Sequence, residues 1–190
     1  MSIDQGKVLL PIARAAISCA LDVPLMADER APWLNEPGAC FVTLTQHGQL
    51  RGCIGSLQAH RALLMDIKSN AISAALHDPR FIPLSPEELT ITSLEISLLG
   101  PSCPMEFRNE ADALSGLQPG TDGVVLEYGR FKSTFLPQVW DQLPNPRQFM
   151  MHLKRKAGLP DDFWHADIKL SRYSVIKYSE VDKLADTGEM

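Results

Sequence analysis

The sequence predicts an α+β fold, built from mixed and largely antiparallel β-sheet, β-hairpins and packed helices. Two pairs of short β-rich runs are each separated by a tight-turn dipeptide, which reads as two hairpins. Apolar-periodic segments read as helices, and they fall between the strands without the regular alternation of β-α-β winding. At 190 residues the chain fits one ordinary domain or a domain with a smaller lobe, burying roughly 70% of the surface its unfolded form exposes.

A first helix is expected from Ile3 to Leu21, with Ser2 and Gln5 at capping-box spacing and Pro11 as the residue that would kink it. Met26 to Gly38 carries Pro32 and Pro37 and reads as loop. Ala39–Gln46 and Gln49–Ser56 follow as strands around a His47-Gly48 turn. From Arg61 to His77 the apolar residues Leu63, Leu64, Ile67, Ala71, Ile72, Ala74 and Ala75 keep helical spacing until Pro79 stops the pattern. Ser85-Pro86-Glu87-Glu88 reads as a cap with proline at the first helical position, giving one turn before Leu89. Thr92–Leu99 alternates, with Leu94, Ile96 and Leu98 on one face and Ser93, Glu95 and Ser97 on the other.

Asn109–Leu114 reads as a short helix. Asp122-Gly123 then turns into Val124–Tyr128, and Gly129-Arg130 leads to Phe131–Phe135, the second hairpin. Asn145-Pro146 caps a helix that runs through Phe149, Met150 and Leu153 to Ala157, where Gly158 ends it. A single final strand is expected over Leu170–Tyr178.

Composition narrows the function. With 45% hydrophobic and 22% charged residues and a mean hydropathy of -0.07, the chain has the make-up of a soluble globular protein. No apolar run approaches the roughly 20 residues of a membrane helix, and Asp4 precedes the lone early Lys7 where a secretory signal needs a cationic start. A cytoplasmic location is expected. Net charge -5 and pI near 5.5 argue against a nucleic-acid surface, and Lys154-Arg155-Lys156 is read as cations complementing a helix dipole. Cys19, Cys40, Cys53 and Cys103 form no C-x-x-C pair and the histidines show no metal spacing, so neither a metal site nor a cofactor is expected.

The most informative stretch is Leu50-Arg51-Gly52-Cys53-Ile54-Gly55. In an extended strand side chains alternate, so Arg51 and Cys53 are expected on one face, with Gly52 and Gly55 leaving the backbone open to a ligand. Cys53 reads either as a nucleophile activated by that cation or as a small buried hydrophobe. Arg51 has the fork to bind a carboxylate or phosphate, or pairs with Glu95 across the sheet. Glu95 is a candidate acid or base if desolvated. Asp78 and Arg80 either clamp the turn after the helix or, for Arg80, bind an anion; the clamp is favoured.

Several runs together carry a family resemblance: Phe41-Val42-Thr43-Leu44, Leu50 to Gly55, Asp78-Pro79-Arg80-Phe81, Leu94 to Leu99, Asp122-Gly123, Leu136-Pro137-Gln138-Val139-Trp140 and Lys156-Ala157-Gly158-Leu159. They resemble the AMMECR domain family, from about Gly38 to Tyr178 and in the same order. The resemblance implies a single two-lobed α+β domain over residues 1–190, with a cleft as its candidate site and no assigned reaction. The bacterial members are called protein A of the AmmeMemoRadiSam system, which implies a Memo-like protein and a radical SAM enzyme as partners. Gln138 and Lys156, on the matching motifs, join the candidate ligand-binding residues, and Trp140 is read as cleft lining or core.

Three functions fit these residues. One is a cysteine-dependent enzyme acting on a small anionic molecule, with Cys53 as nucleophile, Arg51 orienting the anion and Glu95 as acid or base. The second is a noncatalytic pocket in which Arg51, Arg80 and Lys156 hold such a ligand. The third is a protein-interaction module whose motifs maintain the fold.

Overall fold

Leu9, Ile12, Ala13, Ala16 and Ile17 recur every three or four positions, and they bury one face of the first helix, α1 (Gly6–Ala20). The computed structural model describes residues 5–180, so the Ser2 half of the predicted cap lies outside the described residues. Pro11 sits in the second turn on an exposed face, and the helix continues through it at the expense of one backbone donor. The chain then forms a two-residue strand β1 (Pro37–Gly38), the hairpin β2 (Cys40–Gln46) and β3 (Gln49–Gly55), a second short strand β4 (Arg61–Ala62), helix α2 (Leu63–Leu76) and strand β5 (Thr92–Leu99).

Residues Gly100–Val175 build a separate unit with its own core. It comprises β6 (Cys103–Pro104), α3 (Glu110–Ser115), β7 (Gly123–Tyr128), β8 (Phe131–Phe135), α4 (Pro146–Ala157) and β9 (Lys169–Tyr173), and its four strands lie in the order β6-β9-β7-β8. Trp140 stacks on Phe149 with centroids 3.7 Å apart, and Val124, Leu126, Leu153 and Leu170 close around them. Asn145 accepts from the backbone N–H groups of Arg147 and Gln148, and Gly158 ends α4 in the left-handed conformation (φ 85°), as the sequence predicts.

The chain returns to the first unit through β10 (Val175–Ser179), which lies beside β5 in a four-stranded sheet of order β10-β5-β2-β3. The single final strand expected over Leu170–Tyr178 is therefore two strands in two sheets, parted at Ser174. Apolar pattern alone reads both as one run, because the change of sheet adds no turn residue beyond a serine. On one face of the first sheet Cys40, Val42, Leu44, Leu94 and Ile96 are buried in a common core with Leu9, Ile12 and Ile17 of α1 and Ile67 and Ala71 of α2. The four helices and antiparallel sheets make the α+β fold that the sequence predicts.

Candidate functional site

The β2-β3 hairpin positions the Arg51–Gly55 strand. His47 (φ 48°) and Gly48 (φ 74°) both adopt positive φ, the geometry of a type I′ turn that matches strand twist. Pairing runs Gln46↔Gln49 and Thr45↔Leu50, then shifts, so that Leu44 faces Gly52 and Arg51 is the extra residue of a β-bulge. The bulge overturns the expected alternation. Cys53 pairs with Thr43, which pairs with Glu95, on the face opposite Val42 and Leu44. Arg51 turns instead toward Glu88, the partner that also holds Gln46 beside the buried Thr92.

Cys53 is held by its backbone. β3 is an edge strand, so its outward N–H and C=O have no neighbouring strand. The Asp78 carboxylate accepts the Cys53 N–H at 2.9 Å, and Arg80 Nη2 donates to the Cys53 carbonyl at 3.2 Å. Arg80 also grips Asp78 with two side-chain bonds of 2.9 and 2.7 Å and its own N–H at 3.1 Å. Asp78 is buried, and the Arg80 guanidinium beside it holds its carboxyl far below the ordinary range. The clamp predicted for Asp78 and Arg80 is the geometry found.

The Cys53 thiol, half-buried, accepts from the Thr43 hydroxyl at 3.4 Å. Glu95 lies two strands away, roughly 10 Å at the usual strand spacing. Its carboxylate accepts from the Ser179 hydroxyl at 3.1 Å and faces Lys177 Nζ at 3.5 Å. The Arg51–Glu95 pair expected from sequence does not form. The two glycines are also filled rather than open. A Cβ on Gly52 would stand 2.2 Å from the Ala74 carbonyl oxygen of α2, and one on Gly55 would stand 2.2 Å from the Phe41 ring. Gly52 thus admits a helix backbone and Gly55 an aromatic ring.

Arg51 is the buried cation of the motif. It is 8% exposed, with Nε and Nη2 each 3.1 Å from the two Glu88 carboxylate oxygens. Its guanidinium holds the Glu88 carboxyl down to about 2, helped by the Ser85 N–H. Arg51 and Arg80 lie 6.0 and 5.4 Å from the Phe81 ring centroid. Nη1 of Arg51 is buried without a hydrogen-bond partner among the described residues.

The AMMECR1 family profile matches residues 10–178, which takes in every motif above. The chain belongs to the AMMECR1 family. A protein of Methanothermobacter thermautotrophicus is 36% identical to it over 192 residues, spanning 95% of this chain and 96% of its own. Protein MJ0810 of Methanocaldococcus jannaschii is 34% identical over 198 residues, spanning 100% and 96%. The crystal structure of the uncharacterized protein PH0010 from Pyrococcus horikoshii superimposes with a TM-score of 0.82 at 30% identity, covering 92% of this chain and 91% of that one.

The remaining candidates of this AMMECR1 chain belong to the Gly100–Val175 unit. Gln138 is exposed on a short 3₁₀ turn (Pro137–Asp141), whereas Trp140 is buried, its indole N–H donating to the Asp122 carbonyl at 2.8 Å. Lys156 donates to the Thr134 carbonyl at 3.0 Å and lies 5.1 Å from the Phe135 centroid. Packing there lowers its pKa through desolvation, although the residue still reaches solvent. Its neighbour Lys154 is 2% exposed and bound to Glu110 at 2.6 Å, so this cation is a core residue rather than a dipole complement.

Sequence reasoning missed two features of the AMMECR1 fold. Glu88 serves as the capping-box residue for Ser85 (2.9 Å to the Ser85 N–H) and as the counter-ion of Arg51, and only the first is visible in its spacing. Asp66, 1% exposed, accepts from the Cys40 N–H, the Ser56 hydroxyl, Arg61 Nε and the Asn70 amide at 2.9, 2.6, 2.9 and 2.9 Å. The available signal is that Asp66 and Asn70, four apart, fall on the apolar stripe of Leu63, Ile67 and Ala74. Among the described residues no helix is long and apolar enough to cross a membrane.

Proposed function

We propose that this protein is a noncatalytic binding module whose ligand presents an acceptor oxygen to Arg51, and that it acts beside a Memo-like protein and a radical SAM enzyme. The observation that carries the reading is the buried Arg51 Nη1, a donor without a protein acceptor. Such a group costs about 1–3 kcal/mol when left unpaired, and a ligand oxygen recovers that cost. Arg51 is balanced by Glu88 and Arg80 by Asp78, so the corner asks for a hydrogen-bond acceptor more than for net negative charge.

Cys53 fits this reading as a structural residue. Its backbone anchors the Asp78–Arg80 clamp, and the group against its sulfur is a threonine hydroxyl, which is no base for a thiol. Support for the partners is the resemblance to bacterial family members that neighbour such proteins.

The test is calorimetric titration with inorganic phosphate, malonate and its neutral diamide malonamide. Arg51→Lys keeps a cation against Glu88 but removes the fork, and it is expected to weaken the best binder at least tenfold, whereas Cys53→Ser changes affinity less than threefold. Loss of binding in Cys53→Ser with retention in Arg51→Lys overturns the reading in favour of a cysteine site. The partner half is tested by sedimentation of the purified protein with each purified partner.

A further inference from the structure

The first unit holds a pocket of about 570 Å³ formed by α1, α2 and the loop after α1, outside the Arg51 corner. Its volume falls within the roughly 300–1,000 Å³ of small-molecule sites. Ala16 and Cys19 of α1 and Ile72 of α2 line it, and Leu25 and Met26 form one wall while 43% and 94% exposed. Large apolar side chains left in water beside an apolar hollow lose free energy that an apolar ligand restores.

One edge is charged. Lys68 Nζ donates to Glu29 Oε1 at 2.8 Å, each side chain 37% exposed, and both residues line the pocket. Glu29 and a ligand carboxylate compete for this lysine, and Glu29, 37% exposed on the loop, turns to solvent when a head group takes its place. The pocket thus combines an apolar body with an ion pair at its edge whose lysine a bound carboxylate can claim.

We propose that this pocket binds an amphiphilic carboxylate, with its aliphatic chain along Ala16, Leu25 and Ile72 and its head on Lys68. Cys19 reports occupancy. It is a free, exposed thiol lining the pocket, whereas Cys103, also free and exposed, lies in the other unit and serves as an internal control.

The experiment titrates decanoate, below its micelle concentration, into the full chain while iodoacetamide labelling of each cysteine is followed by mass spectrometry. Decanoate is expected to slow Cys19 at least fivefold and leave Cys103 unchanged. Lys68→Met retains the apolar stem and should weaken decanoate about tenfold, the worth of one charge-assisted hydrogen bond. Met26→Asp, at a fully solvated position, should weaken it as well without affecting folding. Equal slowing of Cys19 and Cys103, or none, overturns the proposal, and decylammonium binding as well as decanoate overturns the carboxylate assignment. Sedimentation showing a dimer that Met26→Asp dissolves would make the pocket a subunit interface and sink the ligand.

Discussion

Asp78 uses one carboxylate for three purposes: it ends the turn after α2, it receives the Cys53 N–H, and it holds the Arg80 fork that returns to the Cys53 carbonyl. Asp78→Ala leaves that amide and the fork unpaired and should cost about 2–3 kcal/mol in urea unfolding, while Arg80→Ala, whose side chain is half exposed, should cost about 1. Equal losses would show that the clamp is not centred on Asp78. Glu88 predicts the acid limb. Its folded pKa is lowered to about 2 by Arg51, so the stability it contributes is complete above its unfolded value near 4.5 and drains as pH falls through about 2. Asp78 acts in the same direction. The unfolding midpoint of the wild-type protein should therefore decline below pH 4, and Glu88→Gln should start lower and decline less steeply. The sequence makes Arg51, Cys53 and Arg80 visible as a cluster, because their types and spacing are unusual. It hides the partner of Arg51, since a bulge of one residue turns a side chain to the other face and leaves no local mark.

The hairpins and helices were legible because the forces that set them are local: a His-Gly turn at positive φ, an asparagine before α4 and a glycine after it, and apolar residues at helical spacing. What was not legible depends on distant chain. Gly52 is a glycine because α2 brings the Ala74 carbonyl against it, a contact between residues far apart in sequence. Gly52→Ala pushes a methyl onto rigid backbone and should destabilise the protein by about 3 kcal/mol in urea unfolding, and Gly55→Ala, whose methyl would stand 2.2 Å from the Phe41 ring and 2.7 Å from its Cα, should cost a comparable amount. The edge of β3 gives a second element-level prediction. With Asp78 and Arg80 standing in for a missing strand, the Cys53 amide should exchange slowly in deuterated solvent, and Asp78→Ala should speed that exchange at least tenfold while the central β2 amides change little. Uniform acceleration across both strands would mean that the variant loosens the whole sheet instead.

At the scale of the molecule, one unit is inserted into the other. The chain leaves after Leu99 and returns at Ile176, and the two crossing segments are joined by the Gly100 N–H donating to the Ser174 carbonyl at 2.8 Å. The insert has its own apolar core, so residues 100–175 expressed alone should give dispersed amide resonances, including a resolved indole N–H for Trp140 bound to the Asp122 carbonyl. An unfolded spectrum would mean that the core of the insert is insufficient by itself. The return of β10 is fastened twice, by Arg14, which grips the Glu180 carboxylate, and by the Glu180 N–H on the Leu94 carbonyl at 2.9 Å. This fastening has a mechanical consequence. Tension applied at residues 5 and 180 runs through α1, β5 and β10, which are tied directly to one another within the first unit. Pulled in an optical trap, the chain should first yield at the Arg14–Glu180 fastening and release the first unit. The insert, which has its own core, should give way in a separate step.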